Sequence, residues 1–214
     1  MARLRVLVAD DHTIVRQGLV SILKAANEFE VVAEAADGHE AVDKALQTRP
    51  DVVVLDITMP RLNGLEAARR IHKVLPGARL LVLTMHEEEE YVLKMVRAGV
   101  SGYLVKDGAA SELVAALRAL GAGKGYFGPQ ASKALAEVYQ ADKPVAEEPY
   151  LRLTDREREV YQLLVEGSTN AQVADVLCIS AKTVDNHRTH LMEKLGVHST
   201  VALLRFAAKH GHLS

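Results

Sequence analysis

Five residues spaced widely along the chain could do chemistry together. Asp10 and Asp11 follow one short apolar run, Asp56 follows another, and Thr84 and Lys106 close two more. Brought to one place, three carboxylates repel unless a cation joins them. An all-oxygen set of this kind suits a hard ion such as Mg²⁺, which binds through a few carboxylates and keeps several waters. One carboxylate is then free to act as a nucleophile towards a phosphoryl group, forming an acyl phosphate. The ammonium and the hydroxyl would stabilise charge on the phosphoryl oxygens. Singly, each residue has a plainer reading: Asp10 and Asp11 as turn or cap residues, Asp56 as a loop acid, Thr84 and Lys106 as nothing in particular. Only their joint placement at strand ends argues for a site.

The elements that must position them are legible from patterning. Leu4–Ala9, Val31–Ala35, Val52–Leu55, Leu80–Leu83 and Gly102–Val105 are short, continuous apolar runs rich in Val and Leu, as expected for strands buried on both faces of a parallel sheet. Amphipathic stretches such as Ile14–Leu23, Glu40–Leu46 and Tyr91–Arg97 separate them. The alternation predicts a flavodoxin-like, doubly wound five-stranded parallel sheet over residues 1–123, with crossovers that carry the strand ends to one edge, where ligands of such folds collect. Gly121-Ala122-Gly123 and Gly125-Tyr126-Phe127-Gly128-Pro129 read as punctuation that ends this domain. Residues 124–149 read as a linker with a short helix near Gln130–Tyr139 and a proline-bearing stretch, Ala141–Pro149.

From residue 150 to 214 the pattern is all helix. Thr154-Asp155-Arg156-Glu157 and Thr169-Asn170-Ala171-Gln172 fit capping boxes, Gly167 stops the first helix, and Ser180 caps a longer helix over Ala181–Leu195 that Gly196 ends. Ser199 starts a fourth, giving a small four-helix helix-turn-helix domain. Val173, Leu177, Ile179, Val184, Leu191 and Leu195 supply apolar packing positions. The other face of 181–195 presents Lys182, Thr183, Asp185, Asn186, His187, Arg188, Thr189 and Lys194, short and cationic side chains suited to a major groove. Asp185 is the misfit there: it accepts from cytosine, or it points away.

The motifs resemble two known families. Val8-Ala9-Asp10-Asp11-His12, Leu55-Asp56-Ile57-Thr58-Met59-Pro60 with Gly64, Leu83-Thr84 and Gly102-Tyr103-Leu104-Val105-Lys106 are similar to the signature set of response-regulator receiver domains. Leu153–Val160, Leu163–Gly167, Ile179–His187 and Lys194–Val197 resemble the LuxR-type helix-turn-helix, and the pair together resembles NarL/FixJ-type two-component response regulators. The resemblance implies that Asp56 is the phospho-acceptor, that Asp10, Asp11, Asp56 and the Thr58 backbone carbonyl hold Mg²⁺, and that Thr84 and Lys106 contact the phosphoryl group. It makes Tyr103 the aromatic switch, and places Thr58 and His86 where phosphate lifetime is tuned. The implied donor is a histidine kinase. The implied consequences are dimerisation, binding of double-stranded DNA and transcription control with RNA polymerase. Many receivers carry proline after the active-site lysine; here Asp107 follows Lys106.

Composition bounds these readings without choosing among them. Residues 1–149 carry 18 Lys+Arg and 21 Asp+Glu (18 − 21 = −3), and residues 150–214 carry 8 and 7 (8 − 7 = +1), so no bulk basic field advertises nucleic acid. With a lone cysteine, Cys178, neither an internal disulfide nor a multi-cysteine zinc site is available. No apolar run approaches a membrane span and no export signal is visible, so the cytoplasm is expected and a membrane partner is not. A DNA-binding regulator whose receiver is merely structural or ligand-sensing is the alternative. A phosphotransferase enzyme is disfavoured, because no second nucleophile or general base accompanies Asp56.

Overall fold

A computed structural model describes residues 3–85, 89–106, 109–129, 131–133, 135–136 and 149–209. The chain divides into two compact units, Met1–Lys143 and Pro144–Ser214.

The first unit is a parallel sheet covered on both faces. Its strands are β1 (Leu4–Ala9), β2 (Phe29–Ala35), β3 (Val52–Leu55), β4 (Arg79–Thr84), β5 (Gly102–Val105) and β6 (Tyr126–Phe127), in the order β2-β1-β3-β4-β5-β6. The helices are α1 (Thr13–Ala25), α2 (Gly38–Thr48), α3 (Gly64–Val74), α4 (Glu89–Arg97) and α5 (Ala109–Gly121). Strand alternation sends side chains to opposite faces, and two separate cores result. Leu7, Val53, Leu55, Leu80, Val82 and Tyr103 pack with residues of α2, α3 and α4. Val6, Val8, Val52, Val54, Leu81, Leu83 and Leu104 pack with residues of α1 and α5. This is why β3 is continuously apolar: all four of its side chains are at most 1% exposed.

The sheet has six strands rather than the expected five. Tyr126 and Phe127 pair parallel to Gly102 and Tyr103; the glycines on either side hid a two-residue strand inside what reads as domain-ending punctuation. Phe127 packs against the α2–α4 core, and Tyr126 Oη donates to Glu112 Oε2 at 3.1 Å. Ala131, beyond the strand, is 3% exposed in the same core. The Ala141–Pro149 stretch lies outside the described residues up to its final proline.

The second unit begins with a 3₁₀ turn (Pro149–Arg152), followed by α6 (Asp155–Val165), α7 (Asn170–Leu177), α8 (Ala181–Leu195) and α9 (Thr200–Lys209). Both capping boxes form: Thr154 with Glu157 and Thr169 with Gln172. Ser180 caps α8 and Gly196 ends it in the left-handed region, at φ 68°. Tyr150, Val160, Tyr161, Val173, Val184, Leu191 and Leu203 form the core, with Leu177 and Ile179 partly buried against it. Among the described residues no helix is long and apolar enough to cross a membrane.

Candidate functional site

Register places the acids. Ala9 pairs with Leu55 and Leu55 with Val82, so Asp10 and Asp56 emerge side by side from adjacent strands. Thr84 pairs with Val105, which puts Lys106 one residue beyond it. Backbone bonds fix these exits: Asp10 N–H donates to Ala35 O at 3.1 Å, Asp56 N–H to Ala9 O at 2.9 Å, and Lys106 N–H to Thr84 O at 2.7 Å. Arg16 Nη1 reaches back from α1 to the Asp10 carbonyl at 2.5 Å.

The loop between β3 and α3 is folded back against the site by two glycines. Gly64 N–H donates to Ile57 O at 2.8 Å, and a Cβ there would lie 1.9 Å from the Asp56 carbonyl oxygen. Gly38 N–H donates to Leu62 O at 3.1 Å, where a Cβ would lie 2.1 Å from the same oxygen. Asp37, fully buried at the α2 N-cap, is paired with Arg61 of this loop. Thr58 is thereby carried to Asp56, whose carboxylate accepts from the Thr58 N–H.

Asp10, Asp11, His12 and Asp56 each offer an atom within 4.8 Å of all the others. Asp10 and Asp56 are buried, and Lys106 Nζ bridges them at 2.8 Å from Asp10 Oδ2 and 2.7 Å from Asp56 Oδ2. Burial pushes the Asp56 carboxyl above its ordinary value, with the Asp10 charge in the same direction; the Lys106 ammonium and the Thr58 N–H pull against it. Burial depresses the Lys106 ammonium, but the two carboxylates outweigh it and its pKa is raised. Three carboxylates facing one ammonium leave two negative charges, the complement of a divalent cation. Among the described residues Asp11 Oδ1 is buried and receives no hydrogen bond, with the His12 Nδ1 at 2.8 Å. The donor set therefore fits a hard metal ion. Thr84 is fully buried at the end of β4, and Tyr103 is 2% exposed in the core on the α2–α4 face.

The sequence is similar to known proteins along its whole length. Residues 6–118 match the response regulator receiver domain model, and residues 151–207 match that of the luxR family of bacterial regulatory proteins. The chain is a two-component response regulator. The oxygen regulatory protein NreC of Staphylococcus carnosus is 36% identical over 211 residues, covering 96% of this chain and 97% of NreC. The response regulator ChrA of a heme-sensing two-component system is 36% identical, with each chain fully covered and a TM-score of 0.54. The two-component response regulator RcsB, solved as a DNA complex, is 28% identical over 96% of this chain and 98% of its own, with a TM-score of 0.60. This response regulator is thus of the NarL/FixJ type: a receiver with an acidic pocket able to bind a metal, joined to a LuxR-type DNA-binding domain.

In the DNA-binding domain, Lys182, Asn186 and Thr189 are exposed on α8, while Thr183 and His187 are half-buried. Two of the expected groove residues make hydrogen bonds within the domain. Lys194 Nζ donates to Glu157 Oε1 at 2.8 Å and Oε2 at 2.6 Å, because the buried carboxylate of that capping box needs a counter-charge. Arg188 donates to Asn170 Oδ1 at 3.2 Å and Thr200 Oγ1 at 2.7 Å, tying together the starts of α7 and α9. Neither link has a signature in the sequence, since each joins helices across many residues. His12, Arg16 and the Asp37–Arg61 pair are receiver residues to which the sequence reading gave no role of their own. His86 and Asp107 lie outside the described residues.

Proposed function

We propose that Asp56 takes a phosphoryl group from a histidine kinase and that the aspartyl phosphate controls dimerisation, DNA binding and transcription. The observation that carries this reading is the single pocket in which Lys106 bridges Asp10 and Asp56 beside Asp11. A carboxylate oxygen of Asp56 attacks phosphorus, and the donor's leaving group departs with its bonding electrons. Asp10, Asp11, Asp56 and the Thr58 carbonyl would hold Mg²⁺, which when bound would supply charge to offset the phosphoryl oxygens. Lys106 and Thr84 take the remaining oxygens, and movement of Thr84 is sensed by Tyr103, whose ring is buried. On this reading the protein is a stoichiometric acceptor with at most slow self-dephosphorylation, not an enzyme.

Lys182, Thr183, Asn186, His187 and Thr189 on α8 enter the major groove of double-stranded DNA, with Lys182 on phosphate and the shorter side chains at base edges. Arg188 and Lys194 contribute by holding α8 in place. The relative solved with DNA supports this reading. One module offers few charges, so two copies bind paired half-sites as a homodimer and act on RNA polymerase from the cytoplasm.

The test is intact mass after incubation with Mg²⁺ and a small acyl-phosphate donor, quenched rapidly. Wild type gains about 80 Da, one phosphoryl group, and Asp56→Ala gains nothing. An adduct on both proteins would assign the chemistry to another carboxylate; none on either would remove the phosphorylation step.

A further inference from the structure

An acid on the groove face of α8 is repelled by every phosphate it approaches, yet Asp185 is exposed there beside Lys182, Asn186 and Thr189. Its carboxylate is not left to swing. Asn170 Nδ2, at the start of α7, donates to Asp185 Oδ1 at 3.4 Å. The amide of Asn170 is itself oriented, because Arg188 Nη1 donates to its Oδ1 at 3.2 Å and a guanidinium can only donate. Arg188 is anchored in turn by Nη2 donating to Thr200 Oγ1 at 2.7 Å. On the same turn of α8, Thr189 Oγ1 donates back to the Asp185 carbonyl at 3.0 Å. Arg188 thus donates to Thr200 of α9 and to Asn170 of α7, and Asn170 donates to Asp185, whose carboxylate has one oxygen engaged and Oδ2 left to accept from an outside donor.

We infer that Asp185 is a specificity residue that accepts a hydrogen bond from the exocyclic amino group of cytosine in the major groove. A fixed acceptor discriminates by what each base presents. Guanine and thymine offer oxygen acceptors at that edge, and adenine sets its N7 acceptor beside its amino group; cytosine alone offers a donor with no acceptor next to it. The repulsion from phosphate is the cost, and it falls equally on every sequence, so it sharpens selection while weakening non-specific binding. The inference rests on the reading of α8 as the helix in the groove.

The test uses the full-length protein treated with Mg²⁺ and an acyl-phosphate donor, selecting from a random-sequence duplex library and then binding single-base variants of the selected duplex. Wild type prefers cytosine at one position in each half-site by roughly 5- to 150-fold. Asp185→Ala loses that preference and keeps the others, and Asp185→Asn moves it towards adenine. Both variants melt like wild type, since the side chain is exposed. If Asp185→Ala instead raises affinity for every duplex by one common factor, Asp185 only repels DNA and the inference is wrong. Lys182→Ala and Asn186→Ala separate the two levels. Weakened binding in these variants, alongside a uniform shift in Asp185→Ala, overturns the inference alone. Unchanged binding in them overturns the groove reading of α8 and the inference with it.

Discussion

Replacing Lys194 by methionine separates a structural lysine from a DNA-contacting one. Both oxygens of Glu157 accept from Lys194 Nζ, and the Glu157 side chain is 4% exposed while that of Lys194 is 36% exposed. Removing one partner of a fully buried pair costs about 3–5 kcal/mol. Water reaches the lysine end here, so about 1–3 kcal/mol is expected for Lys194→Met. For a domain of this size that lowers its melting midpoint by roughly 5–20 °C. Hydrogen exchange in α6 and α8 of the intact chain reads the loss locally. The pH dependence has a definite sign. Burial pushes the Glu157 carboxyl up, but Lys194 and the Thr154 N–H outweigh it and its pKa is lowered. The pair therefore stabilises the domain above the unfolded carboxylate pKa of about 4.3, and that stability is lost as pH falls through the lower folded value. In Lys194→Met this acid-side loss shrinks, because the carboxylate has little left to lose on protonation. On DNA, the salt dependence of binding keeps its slope in Lys194→Met, whereas Lys182→Ala reduces it by about 1. A variant of normal stability with a reduced salt slope would refute the structural role and return Lys194 to the phosphate backbone.

The remaining predictions concern the receiver and the caps. Gly64→Ala forces a methyl onto the Asp56 carbonyl oxygen and strains the Gly64–Ile57 bond; a loss of about 2–4 kcal/mol is expected by urea unfolding, and a loss under about 0.5 kcal/mol would mean the loop yields freely. Lys106→Met leaves Asp10 and Asp56 buried together without their cation, costing about 3–5 kcal/mol in metal-free buffer; Mg²⁺ restores part of it, visible as a larger metal-induced rise in melting temperature than wild type shows. Thr169→Ala removes the acceptor of the Gln172 N–H at the start of α7, and about 1 kcal/mol is lost with faster amide exchange confined to that helix.

Where sequence reading succeeded, one-dimensional patterns had a direct physical cause. Val52–Leu55 is a strand because both faces are covered, and the helix over 181–195 has its observed ends because Ser180 and Gly196 are a donor-satisfying cap and a left-handed stop. The acidic pocket was legible because strand ends in this topology share an edge. What escaped was anything decided by tertiary pairing. Tyr126–Phe127 is too short to carry a period, and its strand character comes wholly from β5. Lys194 and Arg188 have the right chemistry for phosphate, and their hydrogen bonds to Glu157, Asn170 and Thr200 have no sign in the sequence.

The all-parallel pairing of the sheet also dictates how the chain acquires its structure. No two neighbouring strands can join through a tight hairpin; each pairing waits for a helical crossover to be made, which places the receiver among slowly folding topologies. The strand order softens this. β1 lies between β2 and β3, so residues 4–55 alone complete three adjacent strands, and this part of the chain can nucleate before β4 to β6 are made. The helical unit, built from neighbours in sequence, adds no such delay. Closure of β4, β5 and β6 onto that half-sheet is the step that delivers Thr84 and Lys106 to Asp10, Asp11 and Asp56.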